Sequence, residues 1–447
     1  MFIPLVLGAA LAAWIMLKPR SWGLYFPFWY ALFPKGFLLL DIPGVPVVTM
    51  YRMICLVLLI AVLSHGVRSP VKWARAAPLA LPMFAVFIAG MLSAIIYAGS
   101  DNSGFLIAIN FLIEIIVPVY TFSHYFGQCS GPQQQALLRN LLLFYGAIAL
   151  YGTVAYFLEF NPYIDFLEST SHTGRVITRT YEGTLRGLRA QGTISHPITF
   201  GCALVLVLAC VASVASAGKK LGKSPFSGML PLLSIMTILI VTVLTRSRTP
   251  LVQLAVIALV TLLASRFSRS WKYIAVGGMA LCLLFVAAPS FQNTIFSIIN
   301  IFDSSVGEAQ HGSSLEMRAG QLDVSLRYFS QSLVTVLFGN GLSTTRDIIA
   351  SGTVPELYNA ESLLFTLLIN QGLLGIIVYF WIFVYATAIP VLEVKDRNSF
   401  AVIIGVVMGY FVFVISTDIQ ETLSIFLALY SAMIIRWRTY SQESTQL

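Results

Sequence analysis

The chain has 447 residues, of which 57% are hydrophobic and only 10% charged, with a mean hydropathy of +0.84 and a formal net charge of +8. A soluble globular chain carries about 25% charged residues, so the composition excludes one and points to a polytopic membrane protein. The apolar runs are roughly 17–25 residues long, enough to span as helices; the alternating segments of about ten residues that mark a β-barrel are missing.

The expected fold is all-α, a transmembrane helical bundle of about 13 spans forming one integral membrane domain over 1–447. In chain order the spans fall near 2–17, 22–40, 47–66, 77–98, 104–127, 137–160, 192–217, 226–244, 249–266, 272–290, 361–391 (interrupted), 398–416 and 422–436. The first residues, Met1 to Leu7, lack the basic stretch that opens a cleavable signal peptide. The five cysteines (Cys55, Cys129, Cys202, Cys210 and Cys282) form no CxxC pair and sit within or beside apolar runs, as small buried residues do.

Charge orients these spans. The connections Lys18–Arg20, Arg68–Arg75, Lys219–Lys223, Arg266–Lys272, Lys395–Arg397 and Arg436–Arg438 are basic and fall on one side when the spans alternate. By the positive-inside rule that side is cytoplasmic. With Arg139 it holds 16 of the 27 Lys and Arg residues and three of the 19 acids. The N-terminus is then outside and the C-terminus inside. The basic residues are dispersed over short loops and form no single face, which argues against a nucleic-acid partner.

Two long loops fall outside, 161–191 and 291–360. Loops of this length are usually functional or disordered. The second is partly helical: in Ser314 to Phe329, apolar residues recur at helical spacing (Leu315, Leu322, Leu326, Phe329), the pattern of a short helix lying on or folding back over the membrane face. The outer side carries 11 bases, ten of them arginine: Arg52, Arg175, Arg179, Arg186, Arg189, Arg246, Arg248, Arg318, Arg327 and Arg346, beside Lys35. Loops without a task mix lysine with arginine. Arginine alone suggests planar recognition of an oxyanion or ion pairs within the protein.

Four of these arginines stand out. Arg246 and Arg248 follow an apolar run and precede Pro250, which suits the first turn of a helix, where free N–H groups and the dipole favour an anion. Arg189 lies shortly before Gly192, which permits a bend, and His196-Pro197, which suits a helix start. Arg318 belongs to the second loop. Arg186 is a secondary candidate of the same kind. His196 fits a capping role or proton transfer; His311 and His172 are weaker base candidates. Glu361 opens the run that ends Gly372-Leu-Leu-Gly375, where the glycines mark a break or close packing. A carboxylate there can cap the helix or accept a proton from a sugar hydroxyl. Phe338 to Leu342 is a glycine-rich structural turn without the GK[ST] of a P-loop. Asp418 and Glu421 lie where capping is expected. Glu114, inside a span, requires a partner that the sequence does not name. With no DxD and no HExxH motif, a metal-dependent mechanism is disfavoured.

From Arg186 to Gly375 the chain resembles the superfamily of O-antigen ligases and Wzy-type polysaccharide polymerases, bacterial inner-membrane glycosyltransferases. Arg189, Gly192 and His196-Pro197 resemble the family's arginine, glycine and polar-Pro helix start. Thr245-Arg246-Ser247-Arg248 resembles its Ser-Arg step. Arg318, Gly339-Asn340-Gly341 and the segment Glu361 to Gly375 resemble its large outer loop and the helix that follows. Counting back from Gly372, the histidine characteristic of the ligases falls at Glu361.

The resemblance implies a multi-pass enzyme of the bacterial inner membrane with a periplasmic active face and no cofactor. Its substrates are polyprenyl-pyrophosphate-linked glycan donors and acceptors, the carrier being undecaprenyl pyrophosphate. The departure at Glu361 favours a polymerase of O-antigen or exopolysaccharide repeat units. The alternatives are an O-antigen ligase acting on lipid A–core and, from another class, a polysaccharide flippase or exporter. A chain-length regulator and a flippase are the implied partners besides the bilayer. On this reading Arg189, Arg246, Arg248 and Arg318 bind the pyrophosphate, Glu361 is the general base, and inversion follows from attack opposite the leaving group.

Overall fold

A computed structural model describes residues 2–33, 38–40, 48–64, 77–97, 103–170, 189–194, 196–218, 228–265, 315–357 and 360–446. Lys35, Arg186, His172, His311, Cys282 and the span expected near 272–290 lie outside the described residues.

The architecture is all-α. In chain order come α1 (Phe2–Leu17), α2 (Pro19–Leu24), α3 (Phe26–Leu32), two short antiparallel strands β1 (Leu38–Leu40) and β2 (Val48–Thr49), then α4 (Met50–Ser64), α5 (Ala80–Ile96) and α6 (Ser103–Gly127). There follow α7 (Gly131–Phe157), α8 (Pro162–Thr170), α9 (Pro197–Gly218), α10 (Met229–Leu244) and α11 (Arg248–Ala264). After these come α12 (Leu315–Phe329), α13 (Leu333–Phe338), α14 (Thr344–Ser351), a short 3-10 turn, α15 (Leu363–Glu393), α16 (Arg397–Ser416) and α17 (Thr422–Gln446). Among the described residues, α6, α7, α9, α15 and α16 are long and apolar enough to cross a membrane, and further apolar helices are shorter. Cys55, Cys129, Cys202 and Cys210 are buried free thiols.

The span expected over 22–40 is corrected. It is divided into α2, α3 and β1. Pro27 lies in the first turn of α3. A proline inside a helix lacks the N–H and its ring crowds the carbonyl four residues back, here that of Gly23. A second proline has a finer effect. Pro118 cannot donate to the Glu114 carbonyl, and the preceding turn Leu112–Ile116 relaxes into a π-helix. The Tyr51 hydroxyl donates to that carbonyl instead (3.0 Å). The Glu114 carboxylate receives Arg52 through Nε (2.8 Å) and a terminal nitrogen (2.7 Å). Arg52 is therefore the partner that an acid within a span requires.

Two close approaches organise the bundle. At Gly405 and Gly409 of α16, a Cβ would fall 2.9 Å from the carbonyls of Ile257 and Gln253 on α11. Small residues four apart let the two backbones touch, and the pairing sets an antiparallel register. The other approach is at Gly372, where α15 breaks with φ 60° and ψ −150°. The turn Gly339–Gly341 docks into the break. Asn340 N–H donates to the Ile369 carbonyl (2.7 Å), Gly341 N–H to that of Asn370 (3.2 Å), and the Ser93 hydroxyl also to Asn370 (2.7 Å). The expected structural turn thus satisfies backbone that a broken membrane helix exposes.

The described basic connections converge. Arg438 forks onto Glu393 with two contacts of 2.7 Å, Arg397 donates to the Ala264 carbonyl, and Gln134 bonds Thr439. The ends of α7, α11, α15, α16 and α17 that carry Arg397, Arg436 and Arg438 therefore share one end of the bundle. The arginine-bearing segments described next occupy the opposite end.

Candidate functional site

The site is built at three helix starts. A tight turn, Thr245–Ser247, joins α10 to α11, with Ser247 extended at the N-cap and Arg248 as the first helical residue. Arg246 takes a left-handed conformation (φ 47°), which costs a non-glycine residue about 1–2 kcal/mol. Its guanidinium lies 5.8 Å from the ring centre of Tyr156, a cation–π distance.

Arg189 closes over this turn. It is buried; its Nε donates to the Thr245 carbonyl (2.8 Å) and a terminal nitrogen to the Ser247 hydroxyl. Ala190 N–H donates to the Leu244 carbonyl (3.0 Å). These bonds satisfy carbonyls that the end of α10 leaves over. Arg189 is thus joined to the Arg246–Arg248 step and is partly engaged in holding it. Gly192 makes the expected bend (φ 57°), and Asn161 and Thr193 fasten it, the first donating to the Gly192 carbonyl, the second to that of Ala31.

His196 stands just before α9. Its Nδ1 accepts the Ile198 N–H (3.2 Å), a capping contact. Burial, and after it the charge of Arg189, pushes the imidazole down to about 4. The ring is neutral at neutral pH with its proton on Nε2, which makes that nitrogen a donor and not a base.

The second group surrounds Glu361. Ser362 caps α15, its hydroxyl accepting the Leu364 N–H (3.2 Å). Glu361 therefore precedes the cap and is not the cap itself. Its carboxylate meets Arg318 Nε at ion-pair distance (3.5 Å), and its N–H donates to the Gln321 side-chain oxygen (3.3 Å). Arg318 also donates to the Ser416 carbonyl (3.4 Å). Arg318 and Gln321 both come from α12, the helix expected in the second loop. Leu322 and Leu326 are 38% and 45% exposed, whereas Gln321, Val324 and Ser325 face inward. The inner face is polar because it seats Glu361, and Val324 joins Ile348, Leu357 and Ile369 in a small separate core.

The two groups share one end. With Gly409 facing Gln253 and Gly405 facing Ile257, the antiparallel register sets Ser416 level with the first residues of α11. The structure therefore gathers Arg189, Arg246 and Arg248 in one group, and Arg318 and Glu361 in a second, around the same end of α11 and α16. The loop expected over 161–191 begins as α8 instead.

Asp418 is another correction. It caps no helix. Its oxygens accept the Thr366 hydroxyl (2.7 Å) and the Gln420 amide (3.3 Å), tying α15 to the link between α16 and α17. Burial, opposed by these two hydrogen bonds, raises its carboxyl to about 7. A sequence signal existed only in part: Asp418 follows an apolar span directly, but its partner Thr366 is 52 residues away.

Among the described residues no group of His, Cys, Asp or Glu is arranged to hold a metal ion. What the arrangement offers is guanidinium charge at a helix start, one carboxylate held by Arg318, and backbone positioned at helix termini. That is the equipment for neutralising an anionic leaving group and accepting a proton.

Residues 233–380 match the family of O-antigen ligases. The matched stretch contains Arg246, Arg248, Arg318, Glu361 and both halves of the α15 break, and leaves Arg189, His196 and Asp418 outside. No curated protein matches the chain.

Proposed function

We propose, with that O-antigen ligase domain as the premise, that the chain is a polymerase of polyprenyl-pyrophosphate-linked repeat units of O-antigen or exopolysaccharide, working at the periplasmic face of the bacterial inner membrane. The observation that carries this reading is the contact between Glu361 and Arg318, at the same end of the bundle as the Arg246–Arg248 step. A carboxylate, rather than the histidine of the ligases, stands before α15, and a guanidinium holds it.

In the proposed reaction Glu361 takes the proton of a hydroxyl on the non-reducing end of the acceptor unit. The oxygen attacks the anomeric carbon of the donor glycan. The bond from that carbon to the pyrophosphate oxygen breaks, its electron pair leaves with the pyrophosphate, and the anomeric centre inverts. Arg246 and Arg248 meet the developing charge with preorganised N–H groups. Arg189 fixes the turn that aims them. Arg318 serves both sides, orienting Glu361 and adding positive charge. The pyrophosphate bond supplies the driving force, so the scheme uses no nucleotide.

Glu361→Gln tests the reading. It keeps the side chain's size and removes the proton acceptor. In purified protein with lipid-linked repeat units, elongation is expected to fall about 10²–10⁴-fold while the protein stays folded. Near-normal elongation by this variant would refute Glu361 as the base.

A further inference from the structure

Tyr156, in the last turn of α7, has no part in the reaction just described. Yet Arg246 Cζ lies over its ring, 5.8 Å from the centre. Tyr156 is half-buried against the main core. A cation–π pair gains strength as water is removed from it.

The fold fixes this placement through several contacts. α7 and α10 touch at Gly146, where a Cβ would lie 2.5 Å from the Ser234 side chain. The two helices then run side by side to the end that carries Tyr156 and Arg246. One turn before Tyr156, a Cβ at Gly152 would lie 3.2 Å from Gly192 Cα, so α7 also touches the bend that follows Arg189. Asn161 donates to the Gly192 carbonyl (2.8 Å) and accepts the Tyr151 hydroxyl (2.7 Å). Ala190 N–H and Arg189 Nε tie the same segment to the carbonyls of Leu244 and Thr245. The contacts close a circuit: from α7 to the Gly192 bend, to the Thr245–Ser247 turn, to Arg246, and through its guanidinium back to Tyr156. A non-glycine residue at φ 47° persists where its surroundings over-determine it, and the circuit does so.

The chemistry of the holding group matters as well. A carboxylate holds a guanidinium by cancelling its charge, as Glu361 does for Arg318. A ring holds one through its negative face and has no formal charge, so it leaves the cation's charge for an anion. It also restricts a side chain whose freedom would otherwise be lost on binding. We propose that Tyr156 is a positioning residue for anion recognition: its ring presets the Arg246 guanidinium without neutralising it. That the anion is the pyrophosphate of a lipid-linked glycan rests on the polymerase reading.

The test uses the full chain in phosphatidylcholine nanodiscs, with inorganic pyrophosphate as the probe in isothermal titration calorimetry. Tyr156→Phe keeps the ring face and should bind within about twofold of the parent. Tyr156→Leu keeps an apolar side chain without a face and should bind about three- to tenfold more weakly. Phenylalanines with one, two and three ring fluorines, inserted at position 156, keep the shape but drain negative charge from the face, so affinity should fall stepwise along the series. A packing role alone gives no such gradient, and the series decides the matter if Tyr156→Leu fails to fold. The proposal is overturned if the parent binds no pyrophosphate, if Tyr156→Leu binds as the parent does, if Tyr156→Phe loses as much as Tyr156→Leu, or if the fluorinated series is flat. Elongation of lipid-linked units is measured separately. A graded series in a chain that never elongates supports the positioning role and removes the polymerase reading. Elongation with a flat series removes the positioning role alone.

Discussion

Gly372→Ala probes the break in α15 and the turn docked into it. The residue has φ 60° and ψ −150°, a region that L side chains occupy at a cost of about 1–3 kcal/mol. The added Cβ would lie 2.6 Å from the Val336 carbonyl oxygen, 2.7 Å from Gly339 N and 2.8 Å from the Thr335 oxygen. All three are backbone atoms, so relief requires the end of α13 and the turn after it to withdraw. That withdrawal endangers the bonds from Asn340 N–H and Gly341 N–H to the carbonyls of Ile369 and Asn370. The Asn370 carbonyl keeps the Ser93 hydroxyl, so the Ile369 carbonyl is the one left over, at about 1–3 kcal/mol. Together the two terms reach about 2–6 kcal/mol, a large part of the roughly 5–15 kcal/mol that keeps a protein folded. Gly352→Ala is the control. Gly352 is also left-handed (φ 62°), but nothing lies within 4 Å of its Cβ position, so its loss is limited to about 1–2 kcal/mol. Thermal unfolding of the purified proteins, followed by tryptophan fluorescence, compares the two. Gly372→Ala should lose several times more melting temperature and folded yield than Gly352→Ala. Equal losses would refute the docking of the turn into the broken helix.

Arg248→Lys keeps the charge but not the planar fork, so elongation should fall at least about tenfold at matched expression; unchanged elongation would remove Arg248 as a geometric pyrophosphate clamp. Asp418 gives a pH signature. Its folded carboxyl titrates at about 7 and its unfolded carboxyl in the ordinary range, so its contribution to stability is present below that ordinary range and is lost as pH rises toward 7. Asp418→Asn should therefore flatten the fall in melting temperature between pH 5 and 7.5 and be the more stable protein at pH 8; parallel profiles would contradict the burial argument. For sidedness, a cysteine at exposed Ser330 should react with an impermeant reagent added outside the cytoplasmic membrane, and one at exposed Gln442 only after permeabilisation; the reverse pattern would invert the orientation.

The sequence by itself determined the class and much of the order. Apolar runs of membrane length, punctuated by basic connections, require helices, because hydrocarbon leaves no other way to satisfy a chain's N–H and C=O groups locally. The alternation of those connections also foretold which helix ends meet, as Arg438 with Glu393 and Arg397 with Ala264 show. Single residues with a fixed conformational meaning were legible too: the bend at Gly192, the break at Gly372, the turn at Gly339–Gly341. Tertiary structure decided the partnerships. Arg52 and Glu114 are 62 residues apart, and Thr366 and Asp418 are 52 apart; only packing brings them within bonding distance. It also decided which face of α12 turns inward. Periodicity ranks faces by apolarity, but that helix presents Gln321 to the backbone of Glu361 and leaves Leu322 and Leu326 outward. A hydrogen-bonding demand buried by neighbouring elements outweighs hydrophobic patterning where the surroundings of the opposite face are themselves apolar.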